Sequence, residues 1–574
     1  MVNDYVSLTL DPVEGIHRKT LWRSWNQLSR FQRSLIYLIL FATILALIFT
    51  IFQRRNAASL PVDEPKLESE SNIRESKLEE QNILVPLSQQ SENTVGKVEN
   101  VKKVNENVIQ SEPEKRKKFN GPTNSRQSAV VDAFLHAWRG YKTYAWGHDM
   151  LKPISKSYHD WFSLGLTIVD ALDTMYIMNL ADHFQEARDW VDKSLNFNIH
   201  RDVNLFEVTI RVLGGLLSAY HLSNDTMFLH KANDLGTRLL PCFNTESGVP
   251  YSDINLATLQ AHSPKWSPDS STSEVTTLQL EFRDLSRCTG NPKFEESVAR
   301  VSLHVHHLEK TEGLVPIFIN AQTGDFRSYS TITLGARGDS YYEYLLKQWI
   351  QTGRTIDYLK DDYITAINGV QKLLVKRTSK NKLLFIGELL SGGKDFKPKM
   401  DHLTCYLPGT LALGVLYGMP MEHMALAEEL IYTCYLTYTR NPTFLAPEIS
   451  YFNIQDSSQA DIYVKTNDAH NLLRPEFVES LWAMYQITGN ITYQNWGWRI
   501  FEAFERFTKV QNGYTSIGNV KNEINTRPKD MMESFFLGET LKYLYLLFGD
   551  NRKELNLKEY VLNTEAHPLP IYSS

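Results

Sequence analysis

One turn recurs along this chain, and its spacing limits what the chain can fold into. Leu222-Ser-Asn-Asp-Thr-Met-Phe228, Cys288-Thr-Gly-Asn-Pro-Lys-Phe294 and Ile487-Thr-Gly-Asn-Ile-Thr-Tyr493 each follow an amphipathic helical run and open another. Weaker copies stand at Leu180-Ala-Asp, Gln351-Thr-Gly353, Tyr417-Gly-Met and Phe548-Gly-Asp550. The seven turns fall near positions 181, 225, 290, 353, 418, 489 and 549, mostly 60 to 70 residues apart, the length of two helices and their connections. An open solenoid would carry polar capping repeats, and neither end of this region reads as one. The expected fold is therefore all-α: a closed (α/α)7 toroid or barrel over residues 128–574, with one helix of each hairpin lining the interior.

The preceding residues are of a different kind. Positions 35–52 carry no charge, which is long enough to span a bilayer as a helix and longer than the apolar core of a cleaved signal. Arg18, Lys19, Arg23, Arg30 and Arg33 precede this span and only Arg54 and Arg55 follow closely, so residues 1–34 read as a cytosolic tail and the remainder as luminal. Two glycosylation sequons, at Asn224 and Asn490, agree with that side. Residues 53–127 are rich in Glu, Lys, Ser, Asn and Gln, with Phe119 their only aromatic residue, and read as a flexible stem. A net charge of -6 gives no phosphate-binding surface, so no nucleic-acid partner is expected. Four cysteines, Cys242, Cys288, Cys405 and Cys434, allow one or two disulfides in an oxidising compartment, and none has zinc C-x-x-C spacing.

In a toroid, polar residues at corresponding positions of successive hairpins converge at one end of the bore. Carboxylates recur there: Glu207, Glu274 and Glu281, Asp339 with Glu343, Asp401 beside His402, Glu476 with Glu479, and Glu533 with Glu539. Any one of them alone reads as a solvated face or a helix-dipole partner. Their recurrence, with Arg211, Arg337, Arg474, Phe535 and Phe536 nearby, describes a pocket for a neutral polyhydroxylated ligand. Paired carboxylates are the minimal equipment for glycoside hydrolysis. No HExxH helix, phosphate-binding Gly-rich loop, G-x-S-x-G elbow or EF-hand loop is present to support another chemistry.

The segments Asn204-Leu-Phe-Glu-Val-Thr-Ile-Arg, Leu334-Gly-Ala-Arg-Gly-Asp-Ser-Tyr-Tyr-Glu-Tyr, Lys399-Met-Asp-His-Leu, Leu473-Arg-Pro-Glu, Met532-Glu-Ser-Phe-Phe-Leu-Gly-Glu-Thr and Asn563-Thr-Glu-Ala-His-Pro resemble those of the class I α-1,2-mannosidases, glycoside hydrolase family 47. The resemblance runs from about Ser128 to the end and implies an (α/α)7 barrel, an inverting mechanism and bound Ca²⁺. It makes Glu207 the general acid, Glu476 the general base and Asp339 a third essential carboxylate. It also makes Thr564 the direct Ca²⁺ ligand, with waters held by Glu274, Glu479, Glu539 and Glu565. Arg211, Arg337, His402, Arg474 and Phe535 would bind substrate, Arg337 selecting the glycan branch, and Cys405 and Cys434 would form the family's disulfide.

The activity so implied is removal of α-1,2-linked mannose from high-mannose N-glycans of glycoproteins, in trimming and quality control. It would be carried out by a monomeric luminal domain on a single-pass type II anchor. Arg337 points to the endoplasmic reticulum subgroup. A Golgi-type trimming enzyme and a lectin-like factor in the disposal of misfolded glycoproteins are the alternatives, and the three intact carboxylates favour turnover. Asn563-Thr-Glu-Ala-His-Pro, by spacing a plain turn, becomes in a closed ring the last segment available to plug the bore.

Overall fold

The computed structural model describes residues 117–572 apart from 266, 551 and 553. The expected cytosolic tail and anchor, and the expected stem up to residue 116, lie outside the described residues. Residues 117–127 are packed on the domain rather than forming a stem. Lys117 pairs with Glu559 at 3.1 Å, Phe119 meets the edge of Tyr176, and the buried Gln127 donates to Glu554 and to the Tyr545 carbonyl. The domain thus includes residues ahead of the expected boundary at 128. Its start is fixed by side chains that find partners more than four hundred residues away, a signal that local composition does not carry.

Among the described residues the helices form seven pairs. The inner members are α2 (166–177), α4 (Leu205–Ser223), α6 (272–289), α8 (Asp339–Gln351), α10 (His402–Leu416), α12 (Glu476–Thr488) and α14 (536–547). The outer members are α3 (Ala181–Lys193), α5 (Thr226–Leu239), α7 (Pro292–His307), α9 (357–374), α11 (Glu422–Thr439), α13 (Ile491–Phe507) and, from the start of the domain, α1 (Ser125–Tyr144). Each inner helix packs on the next, and α14 packs on α2, so the inner row closes on itself. Inner helices are buried on almost every side, α8 along nearly its whole length, whereas α3 buries only Ala187 and Val191. That is the division expected between helices covered all round and helices with one wet face. Leu205–Ser223, long and apolar enough to cross a bilayer, is such a wall helix and is mostly buried in the domain.

The recurrent turn has a simple cause. Gly290 and Gly489 take the left-handed conformation that ends α6 and α12, at φ 69° and 71°. The residues that follow, Asn291 and Asn490, cap the next helix by accepting from the N–H groups of Lys293 and Thr492. Asn224 and Asp225 divide the same two tasks between α4 and α5. One expectation needs correcting: the turn near 549 ends α14 but opens no outer helix. The seventh pair is completed by α1, because the ring is closed by the first helix of the domain.

Small antiparallel sheets occupy the connections, the three-stranded ones joining 202–204 with 253–255 and 261–262, and 399–401 with 449–452 and 462–463. Their registers, Asn204 against Asp253 and Lys399 against Tyr451, hold the chain just ahead of α4 and α10. The last hairpin pairs Tyr560–Leu562 with Pro568–Pro570 and packs against the inner helices α4, α6 and α8. Gly214 and Gly215 on α4 make room for it: a Cβ on Gly214 would stand 2.6 Å from the Asn563 amide. A disulfide joins Cys405 to Cys434, tying α10 to α11, and Cys242 and Cys288 are free.

Candidate active site

The residues expected to carry chemistry gather where the inner helices begin. Glu207 lies in the first turn of α4 and Glu274 in that of α6; Asp339, His402 and Glu476 are the first residues of α8, α10 and α12. The unpaired N–H groups and dipoles of several helix starts point into one space, which favours negative charge there. Local sequence places these groups: Asn204 caps α4 by accepting from the Glu207 N–H at 3.0 Å, and its amide reaches Glu274 at 3.3 Å. Pro475, with its fixed φ and no N–H to leave unpaired, leads directly into Glu476.

Glu476 is the best-held carboxylate of the group. His402 Nδ1 lies 2.7 Å from its Oε2 while His402 Nε2 meets the Tyr438 hydroxyl at 2.7 Å, so the imidazole is fixed at both nitrogens. Arg474 stands 3.6 Å from the other oxygen and is itself held by Glu448 at 2.7 Å. Burial alone would raise the Glu476 carboxyl, but the His402 hydrogen bond and the Arg474 charge outweigh it and hold it below the ordinary range. Asp339 behaves in the opposite way. Burial pushes it up to about 7 against the hydrogen bond from the Ser340 N–H, with help from the charges of Glu343, Glu476 and Asp401. Two carboxyls in one site are thus pushed in opposite directions.

The other expected residues join the same network. Glu207 accepts from Arg211 at 2.9 Å, and Arg211 also pairs with Glu565 at 2.9 Å. The guanidinium groups of Arg211 and Arg474 each lie 5.8 Å from the centre of the Phe535 ring, which fixes that ring at the pocket. Arg337, held in the left-handed region at φ 73°, donates to Ser271 Oγ at 2.6 Å and stands 3.5 Å from Glu274 at the partly exposed rim. Thr564 is tied in through its N–H, 3.4 Å from the Tyr344 hydroxyl, which donates to Glu281.

Beneath these groups lies an excess of buried acid. Glu479 meets Lys347 at 3.5 Å, and Lys347 is shared with Glu343 at 2.5 Å. Burial raises Glu539, Glu565 and Glu479, and the charge of Glu565 adds to the rise at Glu539. Such a set of oxygen donors, short of positive partners, suits a hard divalent cation. Expectation missed Glu448, Tyr438 and Lys347. Lys347 carried a signal, four residues after Glu343 on one helix face. Glu448 and Tyr438 lie in an irregular stretch and on an outer helix, and reach the site only through tertiary folding.

Two inner helices widen into π turns at the site, Thr209–Leu213 around Arg211 and Phe536–Thr540 around Glu539. Such bulges cluster at functional sites and have no local sequence signature here.

Comparison with known proteins accords with this geometry. Residues 133–571 match the model for glycosyl hydrolase family 47. The chain is 56% identical over 453 residues to the human endoplasmic reticulum mannosyl-oligosaccharide 1,2-alpha-mannosidase, covering 78% of this chain and 64% of that enzyme's length. It is 45% identical to the rat protein of the same name, over 99% of this chain and 98% of that one. The solved α-1,2-mannosidase of Trichoderma reesei superposes with a TM-score of 0.73 at 28% identity, covering 79% of this chain and all of that one. The chain belongs to glycosyl hydrolase family 47.

Proposed function

We propose that this protein hydrolyses terminal α-1,2-linked mannose from high-mannose N-glycans of glycoproteins. The observation that carries the reading is Glu476, a carboxylate fixed by His402 at 2.7 Å and flanked by Arg474 at 3.6 Å, in one site with Asp339, which burial pushes up to about 7. Glu476 takes a proton from water as that water attacks the anomeric carbon, in an inverting displacement. His402 holds the carboxylate toward its task, and Phe535 offers an apolar face to the sugar ring.

For the leaving oxygen, Asp339 is the better proton source, because burial pushes it up to about 7 and a substantial fraction of it carries a proton near neutral pH. Glu207 is hydrogen-bonded to the Arg211 guanidinium and serves to orient that arginine and the bound sugar. This departs from the general-acid role that the family resemblance implies for Glu207. The expected outcome separates the two. With α-mannosyl fluoride, whose leaving group needs no proton, Asp339→Asn recovers at least about 100-fold of its lost activity relative to the glycan substrate, and Glu207→Gln does not. In the unaltered enzyme, kcat/KM falls as pH rises through about 7, where Asp339 loses its proton, and falls at low pH only below the ordinary carboxylate range, where Glu476 gains one.

The donor set fits Ca²⁺, which Thr564 would hold directly and Glu274, Glu479, Glu539 and Glu565 through waters. When bound, this ion supplies positive charge that neutralises the buried acids and anchors sugar hydroxyls. Chelation is expected to remove activity reversibly, and Thr564→Val to lower Ca²⁺ affinity by at least tenfold, read by calorimetric titration. Unchanged turnover of a metal-free preparation defeats this part of the proposal.

The setting that suits these parts is the endoplasmic reticulum membrane, with a type II anchor at 35–52, a luminal monomeric domain whose bore is plugged by residues 560–570, and a role in glycoprotein quality control. Incubation with a nine-mannose glycan, with and without Ca²⁺, and identification of the product isomer tests the reading as a whole. Binding without any product would make this a lectin-like protein, and removal of several mannoses without branch preference would make it a Golgi-type trimming enzyme.

A further inference from the structure

The other mouth of the barrel holds a second cluster of ligand-type side chains, which the hydrolytic reaction does not use. His221 is in the last turn of α4, fourteen residues beyond Glu207, which at the rise of an α-helix places it about 21 Å away along the axis. Asp284 and Cys288 are four residues apart near the end of α6 and share the face that looks at His221. His221 Nε2 lies 2.7 Å from Asp284 Oδ2, and Cys288 Sγ lies 3.7 Å from that nitrogen and 3.9 Å from that oxygen. One ligand atom from each residue falls within a sphere of 4.8 Å.

A second observation points to the same spot. The Tyr572 hydroxyl is buried without a hydrogen-bond partner, and the charges of Asp284, Arg283, Arg287 and Cys288 act on it. The Arg287 guanidinium stands over the Tyr572 ring, 3.7 Å from its centre, which holds the ring next to the residue that precedes Cys288. His221 is 15% exposed and Asp284 1% exposed, so the cluster is largely buried.

We propose that His221, Asp284 and Cys288 form a zinc site at the far mouth of the barrel, clamping the second helix pair to the third. A nitrogen, a carboxylate oxygen and a thiolate are a borderline-soft set that Zn²⁺ accepts and Ca²⁺ does not. Tetrahedral Zn²⁺ with ordinary bond lengths sets its ligand atoms about 3.4 to 3.6 Å apart. The two sulfur distances are already near that value, and only the His221 to Asp284 contact must open to admit the ion. On binding, the Cys288 thiol gives up its proton to solvent and a Zn–S bond forms. The fourth position is left to a water, for which the Tyr572 hydroxyl is the waiting partner.

The test uses the full chain in detergent, saturated with Ca²⁺ so that the oxygen site is filled. Titration with Co²⁺ is expected to give one equivalent of a near-ultraviolet thiolate-to-cobalt band, displaced by Zn²⁺. Cys288→Ser abolishes the band and His221→Gln weakens Zn²⁺ binding at least tenfold, whereas Cys242→Ser, at the other free cysteine, changes neither. Mannose release by all three variants stays within twofold of the unaltered protein, which shows that they fold. Absence of the band in the unaltered protein, or its survival in Cys288→Ser, overturns the proposal.

Discussion

Glu476→Gln is expected to lower kcat for mannose release by at least about 10³-fold, in the range set for loss of a positioned general base. The amide fills the same volume and still meets His402, so glycan affinity should stay within a few-fold, measured by titration of the inactive variant. The change removes a carboxylate that is held ionised despite its burial. Because the base acts on water and not on the leaving group, α-mannosyl fluoride should not restore this variant, unlike Asp339→Asn. Activity above about a tenth of normal would take Glu476 out of the mechanism.

A chain ending at Leu562 is expected to lose more than about 5 kcal/mol of folding stability, against the few tenths usual for trimming an exposed tail. The missing residues are wired into the barrel by buried polar contacts. Asn563 donates to Glu281 and to the Ile210 carbonyl at 2.8 and 2.9 Å, while its own oxygen receives the N–H groups of Glu565 and His567. His567 meets Asp173 at 2.7 Å, and Lys542, fully buried, pairs with the same Asp173 and donates to the Ala566 carbonyl. Truncation strips partners from Glu281, Asp173 and Lys542 at once, inside a core that water reaches poorly. His567→Ala should cost about 3 kcal/mol by the same logic. Urea unfolding of the two variants reads both values, and a loss under about 1 kcal/mol for the truncation would mean the hairpin only rests on the inner helices.

Much of this was legible in the order of residues, for reasons particular to each case. The helix pairs could be counted because Thr-Gly-Asn ends one helix and caps the next within three residues, a purely local device. Glu476 and Glu479 were legible because Pro475 announces a helix start. Asn563-Thr-Glu-Ala-His-Pro was not legible by spacing, since its meaning comes from Asp173, Lys542 and Glu281, all distant in the chain. The seventh outer helix was misread for the same reason: its position is set by contacts between α1 and α14 across the whole domain. The π turns around Arg211 and Glu539 were hidden because the same residues would serve an ordinary helix. Cys405 and Cys434 were paired through family resemblance, where counting cysteines left three pairings open.

Closure of the ring by α1 and α14 bears on how the chain reaches this state. Asn124 donates to the Phe548 carbonyl and Gln127 to that of Tyr545, contacts spanning 424 and 418 residues. During vectorial synthesis α1 emerges first and waits for its partner until nearly the whole domain has been made. Six helix pairs must meanwhile stand as an open arc with apolar walls uncovered at both ends. Loop-closure entropy grows only slowly with such a span, so the final ring is not costly to hold. The long contact order instead slows its formation and lengthens exposure to aggregation. The last step of folding is then a docking of the two ends of the domain, so substitutions at Asn124 or Gln127 should act mainly by speeding its undocking.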